Sequence, residues 1–152
     1  MDHEGRFFVF LLAGQRYALP LAAVDQVVRA VEYTVLPKAP DIVLGIINAR
    51  GRVIPLINIR RRFRLLEREV ALTDQMVIAH TARRPVALLV DGVAGMLENP
   101  EHGTVSVADI LPDADYVDGV VKLQDGLILI HDLDRFLSLE EEDSLDRALE
   151  ES

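Results

Sequence analysis

Cysteine is absent from the 152 residues, so neither disulfides nor thiolate metal sites can hold this chain together. A chain of this length does not need them, because it can bury roughly 70% of its unfolded surface in one domain or in two small lobes sharing a core. Tryptophan is also missing, and aromatics make up only 5% of a composition that is 50% hydrophobic. The expected core is therefore aliphatic, with little surface for stacking bases. No apolar run reaches the ~18 residues that span a bilayer, and Met1-Asp2-His3-Glu4 is acidic where a secretory signal is basic. A soluble, unexported, cytoplasmic protein without direct membrane insertion is expected.

Positive charge is in deficit too. A net charge of −9 disfavours nucleic acid as a partner, since neutralising phosphates takes a cationic face. The charge is unevenly spread. Residues 50–68 hold seven arginines (Arg50, Arg52, Arg60, Arg61, Arg62, Arg64, Arg68) against the single acid Glu67, whereas residues 139–152 hold seven acids against Arg147. The arginine-rich stretch reads first as a solvated face, then as a basic patch for an acidic protein partner, and last as a contact for nucleic acid or membrane, with too few aromatics nearby for base stacking.

Catalytic and cofactor chemistry has no foothold. His3, His80, His102 and His131 are widely separated and show no metal-ligand spacing. Asp113-Ala-Asp115-Tyr-Val-Asp118-Gly119 fails as a calcium loop, because its glycine comes one position late and Gln124 stands where the bidentate Glu belongs. Neither a phosphate-binding glycine loop nor a Gly-x-Ser-x-Gly nucleophile occurs. No cofactor is expected, and no converging set of nucleophile, base and charge stabiliser is found.

What the sequence does contain is a series of short apolar runs broken by turn residues. Phe7–Ala13 and Arg16–Leu21 flank Gly14-Gln15, Gly45–Asn48 and Val53–Ile57 flank Arg50-Gly51, Gln75–His80 and Pro85–Val90 flank Ala82-Arg83-Arg84, and Tyr116–Leu123 and Leu127–His131 flank Gln124-Asp125-Gly126. Each reads as a β-hairpin. Val24, Val27 and Val28 stand at helix-like spacing, Leu36–Pro40 and Asn99–Pro112 read as connections, and Ser138-Leu-Glu-Glu141 has the form of a capping box opening a terminal helix.

The second and fourth hairpins resemble one another. Gly45-Ile-Ile, Gly51, Val53-Ile54, Leu56 and Asn58-Ile59 match Gly119-Val-Val, Gly126, Leu127-Ile128, Ile130 and Asp132-Leu133, with one extra residue expected in the second turn. Tyr17-Ala-Leu19 and Val24 match Val86-Ala-Leu88 and Val93 at an offset of 69. The chain thus reads as a duplicated, mostly β unit, and short strands with frequent turns suit two small barrels or a sandwich with a groove at the junction. His131, which takes the repeat position of Ile57, is expected to be a partly buried structural histidine.

Leu36-Pro-x-x-Pro40 followed by Gly45-Ile-Ile-Asn-x-Arg-Gly-x-Val-Ile-Pro55-Leu-Ile-Asn-Ile-Arg60-x-x-Phe63 resembles the signature of the CheW family of bacterial chemotaxis coupling proteins, and the likeness extends over residues 7–137. It implies two SH3-like five-stranded β-barrels around a shared hydrophobic core, with short helices and a C-terminal helix. The implied organisation is a tail at 1–6, a domain at 7–137 whose interlinked halves run roughly 7–70 and 71–137, and an acidic helix or tail at 138–152. No receiver or kinase domain is expected.

The implied function is that of a non-catalytic adaptor, recruited to membrane-associated receptor arrays. It would join the cytoplasmic tip of a methyl-accepting chemoreceptor to the regulatory domain of a CheA-type histidine kinase. Arg50 matches the arginine of the family's Asn-Leu-Arg-Gly turn, and Val24, Gln26 and Val27 match a segment used in signalling contacts. Ala49, Gln26 and Asn58 depart from the family's usual leucine, glutamate and aspartate. Arg60, Arg61, Arg62, Arg64 and Arg68 form the candidate basic patch. The rival expectation is a double barrel that binds a small molecule in the groove between its halves.

Overall fold

The computed structural model describes residues 5–71, 73–98, 104–105, 117–123 and 126–151. Its first hairpin joins β1 (Arg6–Leu12) to β2 (Gln15–Pro20) through Ala13 and Gly14, both with positive φ (52° and 79°). Two left-handed residues give the turn whose twist suits paired strands. The hairpin of β4 (Val43–Ala49) and β5 (Arg52–Ile57) has the same geometry at Arg50 and Gly51 (54° and 81°). The turn after β10 (Val117–Leu123) is no longer than this one: Ala49 pairs with Arg52, and Leu123 pairs with Gly126 at the head of β11 (Gly126–His131). Both turns hold two residues, so the extra residue expected in the second is not there.

The remaining strands are β3 (Val24–Arg29), β6 (Gln75–His80), β7 (Pro85–Val90), β8 (Gly92–Glu98) and the short β9 (Thr104–Val105). They form two sheets, one ordered β3-β6-β7-β5-β4 and the other β8-β1-β2-β11-β10-β9. Replacing β3, β6, β7, β5 and β4 by β8, β1, β2, β11 and β10 turns the first order into the second. The parallel pair Leu56·Ala87 in one sheet matches Ile130·Ala18 in the other, at offsets of 74 and 69. The duplication is therefore built into the pairing itself.

Neither sheet belongs to one half of the sequence. The β1–β2 hairpin lies with β10 and β11, and the β6–β7 hairpin lies with β4 and β5, so strands from 7–70 and 71–137 are exchanged between the barrels. The chain beyond β3 returns to the far end of its sheet, where Thr34 exchanges two hydrogen bonds with Ile46 of β4 (2.9 and 2.8 Å). The register position of Ile46 corresponds to Val120, which pairs with Val105 of β9. Both sheets thus bind their last long strand at the same place.

Val24, Val27 and Val28 lie on a strand, not a helix. Asp25 is a bulge, since Val24 pairs with Ala79 and Gln26 with Ile78, and Ala94 is the matching bulge of β8. An extra residue leaves Val24 and Val27 on one face although they are three apart, which mimics helical spacing. Both pack against the largest buried cluster, and Val28 packs against another.

Three clusters fill the interior. Phe7, Val9, Ala18, Val121, Ile128 and Ile130 fill one barrel, and Ile47, Ile54, Leu56, Met76, Ile78 and Ala87 fill the other. Between them, Phe8, Phe10, Leu12 and Leu19 of one sheet meet Ile57, Val77, Val86 and Leu88 of the other. Strands buried on both faces need apolar residues at every position, which is why the sequence shows continuous runs instead of alternation.

Among the described residues, two α-helices complete the fold. Asn58 caps α1 (Ile59–Arg62), its side chain accepting from the Arg61 N–H. The box at the start of α2 (Leu139–Glu151) forms reciprocally, with Ser138 N–H donating to Glu141 Oε1 at 2.8 Å and Glu141 N–H donating to Ser138 Oγ at 3.1 Å. Leu145 and Ala148 then bury against the shared core. His3, His102, the stretch 106–116 and the turn residues Gln124 and Asp125 lie outside the described residues.

Candidate functional site

Where the chain crosses from one barrel to the other between β2 and β3, Leu21–Ala23 form a single 3-10 turn. Small residues here leave an open groove of about 470 Å³, bounded by Pro20–Ala23, by the β6–β7 turn at His80–Ala82 and by His131–Asp134. Ala82 N–H donates to Asp134 Oδ1 across it (2.8 Å), and Asp132 accepts from the Asp134 N–H (3.1 Å). Asp25, on the bulge of β3, lies 2.9 Å from His80 Nδ1. The groove joins apolar residues to two acids, Asp132 half-buried and Asp134 exposed, a surface that suits an amphipathic segment of another protein.

His131 is buried at the inner end of this groove. Its ring stacks on Phe63 (centroids 4.4 Å apart, planes at 13°), meets Tyr17 at 5.1 Å and stands edge-on to Phe136. It belongs to an aromatic cluster that ties Phe63, at the end of α1, to β2 and β11 of one sheet, as a structural histidine would.

Val24, Gln26 and Val27 sit together, each half-buried, on β3 at one end of the five-strand order. Arg50 lies on the turn between β4 and β5 at the other end, exposed, with the turn held by Gly51 N–H donating to Asn48 Oδ1 at 2.9 Å. No hydrogen bond or ion pair between described residues joins Arg50 to β3. The four candidates therefore lie on two different elements, three on β3 and one on the β4–β5 turn.

The basic stretch behaves differently from its charge count. Arg60 donates from Nη2 to both oxygens of Asp91 (2.8 and 2.9 Å), Arg61 pairs with Glu67 (2.9 Å), Arg62 with Glu141 of α2 (2.5 Å), and Arg68 with Asp74 and Asp91 (2.6 Å each). Of the five, only Arg64 is in no ion pair with a described residue. The partners Asp74, Asp91 and Glu141 come from outside the 50–68 window, so a local count overstated the free charge. An acidic partner would have to displace carboxylates that the fold already supplies.

These pairs hold the carboxylates ionised. The Arg68 hydrogen bond draws Asp74 below the usual range, against a cost of burial and with help from the Ala71 N–H. For Asp91 and Glu141 burial pushes upward, but the bonds from Arg60 and the Ala13 N–H to Asp91, and from Arg62 and the Ser138 N–H to Glu141, outweigh it and leave both lowered. Groups with lowered folded pKa values stabilise fully above the unfolded carboxylate pKa near ~4, and the stabilisation is lost as pH falls through the folded values. Thermal melts should show a midpoint that drops below about pH 4; a flat midpoint down to about pH 2.5 contradicts the network's contribution.

A family model described as CheW-like domain matches residues 6–141. Chemotaxis protein CheW of Rhizobium meliloti (strain 1021) is 28% identical over 147 residues, which cover 95% of each chain. Protein FrzA of Myxococcus xanthus is 29% identical over 109 residues, 72% of this chain and 64% of that protein. Among solved structures, the scaffolding protein TtCheW from Thermoanaerobacter tengcongensis superposes with a TM-score of 0.81 at 28% identity, covering 91% of this chain and 95% of the other.

Proposed function

This chain belongs to the CheW-like domain family, and from that premise we propose that it is a chemotaxis-type signalling adaptor that couples transmembrane chemoreceptors to a CheA-type histidine kinase through protein contacts. The observation that carries this is the correspondence of the whole two-barrel body with a scaffolding protein, nearly end to end in both chains. The family acts as a scaffold, so its chemistry is recognition. We take the chain itself to be non-catalytic and to work at the cytoplasmic side of receptor arrays; no helix among its described residues is long and apolar enough to cross a membrane.

In this proposal a helical receptor tip lies in the groove beside β3, with Val24, Gln26 and Val27 at its edge, and the kinase's regulatory domain meets a barrel end. Arg50 fixes the register of a partner by holding a carboxylate. Its guanidinium projects from a turn that another residue type can form equally well, which makes the role separable from the fold. Arg50→Gly suits the φ of 54° and should leave the thermal midpoint unchanged or raised. It should weaken receptor binding about tenfold or more, as expected for a lost charge-assisted hydrogen bond worth about 1.5–3 kcal/mol. Calorimetric titration with a soluble receptor-tip fragment checks this, and undiminished affinity removes Arg50 from the interface. Recovery of receptor and kinase together in a reconstituted complex tests the adaptor role itself.

A further inference from the structure

The duplication gives the molecule two clefts between its sheets, and only one is open. Each cleft adjoins a crossover: Leu21–Ala23 leads from β2 to β3, and Asp91 alone leads from β7 to β8. At offsets of 69 and 74, the groove residues Ala22, Ala82 and Asp134 correspond to Asp91, Ala13 and Arg60. The bracing N–H is the same in both copies and its acceptor is not: Ala82 N–H donates to Asp134 on one side, and Ala13 N–H to Asp91 Oδ2, at the position of Ala22, on the other, both at 2.8 Å. Yet the first cleft keeps about 470 Å³ while the second is reduced to about 70 Å³ around Asn58, Arg60, Leu89 and Asp91.

Residues 64–71 account for the difference. The chain leaves the two equivalent hairpins at equivalent points, Phe63 and Leu137. There the copies part. Arg64 takes a left-handed conformation (φ 60°) and sends the chain back over the second cleft, whereas Ser138 caps α2, which contributes nothing to the lining of the open groove.

The returning segment is tied down along its length. Leu65 N–H donates to the Arg60 carbonyl and Arg60 Nη1 to the Leu66 carbonyl, both at 2.8 Å. Glu67 accepts from Asn58 Nδ2 and Arg61 Nη2 at 2.9 Å each, and Arg68 bridges Asp74 and Asp91.

We propose that residues 64–71 are an internal plug of the second cleft, and that by filling it they limit the chain to one receptor hairpin. The ion pairs of Arg61 with Glu67 and of Arg68 with Asp74 and Asp91, together with the Arg60 bond to the Leu66 carbonyl, are then the plug's fastening. The proposal rests on the adaptor function above and adds to it a fixed valence and a single binding side.

Hydrogen exchange and native mass spectrometry with a soluble receptor-tip fragment test it. In the wild-type chain the complex should be one to one, with protection at 20–24, 80–82 and 131–134 and no change at 64–71. Two fragments per chain, or exchange changes centred on 64–71, overturn the proposal. Arg68→Ala with Asp74→Asn removes the central fastening without leaving a buried carboxylate unpaired; it should raise exchange at 64–71 and admit a second, weaker fragment. A released plug with one fragment still bound overturns the plug alone, leaving the adaptor function intact. A wild-type chain that binds no fragment overturns both. If the double variant does not fold, the wild-type stoichiometry and protection map decide.

Discussion

Gly45→Ala should lower stability by about 2–3 kcal/mol, more than most single substitutions of glycine by alanine in a strand. A β-carbon at this position would lie 2.3 Å from the Thr34 carbonyl oxygen and 2.8 Å from Cδ2 of Tyr33. The Tyr33 ring could turn aside, but the carbonyl cannot, because it accepts the Ile46 N–H as half of the bridge that ties the chain beyond β3 to β4. Relieving the clash means opening that bridge and leaving backbone groups unsatisfied. At 2–4 °C per kcal/mol for a domain of this size, the thermal midpoint should fall by roughly 4–12 °C. Gly92→Ala is the control, since the nearest atom to its added carbon is Leu11 Cδ1 at 4.0 Å. Equal losses at both positions would mean that the cost is general to strand glycines, and the contact with Thr34 would not explain the position.

That glycine also marks the limit of what the sequence reveals. The hairpins were legible because turn residues such as Arg50-Gly51 break apolar runs, and the duplication because Gly45 and Gly119 head similar strands. Which hairpin pairs with which was not legible. The exchange of β1–β2 and β6–β7 between barrels rests on parallel pairs, Leu56 with Ala87 and Ile130 with Ala18, that no local pattern records. The bulge at Asp25 turned a strand into an apparent helical spacing. At the site, Val24, Gln26 and Val27 are contiguous and could be found together, but the groove draws its walls from segments near residues 20, 80 and 131. The arginine-rich stretch misled for the same reason, since Asp91 and Glu141, which neutralise it, lie 31 and 79 residues away.

Arg84→Ala should cost more still, about 3–5 kcal/mol, because it strands a buried acid. Arg84 stands at the end of the β6–β7 turn and reaches α2, where its Nη2 meets Asp146 and lies 3.1 Å from Glu142 Oε1. The two sites differ in exposure: the Glu142 side chain is 7% exposed and that of Asp146 is 48%. Asp146 can return to water when Arg84 is removed, whereas the Glu142 carboxylate is left without its partner beside Leu133, Phe136 and Leu137. The loss should therefore follow Glu142. Adding Glu142→Leu to Arg84→Ala removes the stranded carboxylate and should restore most of the stability, while adding Asp146→Asn should restore little. Chemical denaturation of the three variants measures this directly. If the first double variant is no more stable than Arg84→Ala alone, the energy lies in the packing of the arginine stem and not in the charge it covers. The outcome also bears on the groove, because the turn that Arg84 anchors to α2 carries Thr81 and Ala82 in its wall. A loss that follows Glu142 would make the position of that wall depend in part on one buried ionic contact, beside the core packing of Leu145 and Ala148 that seats the helix.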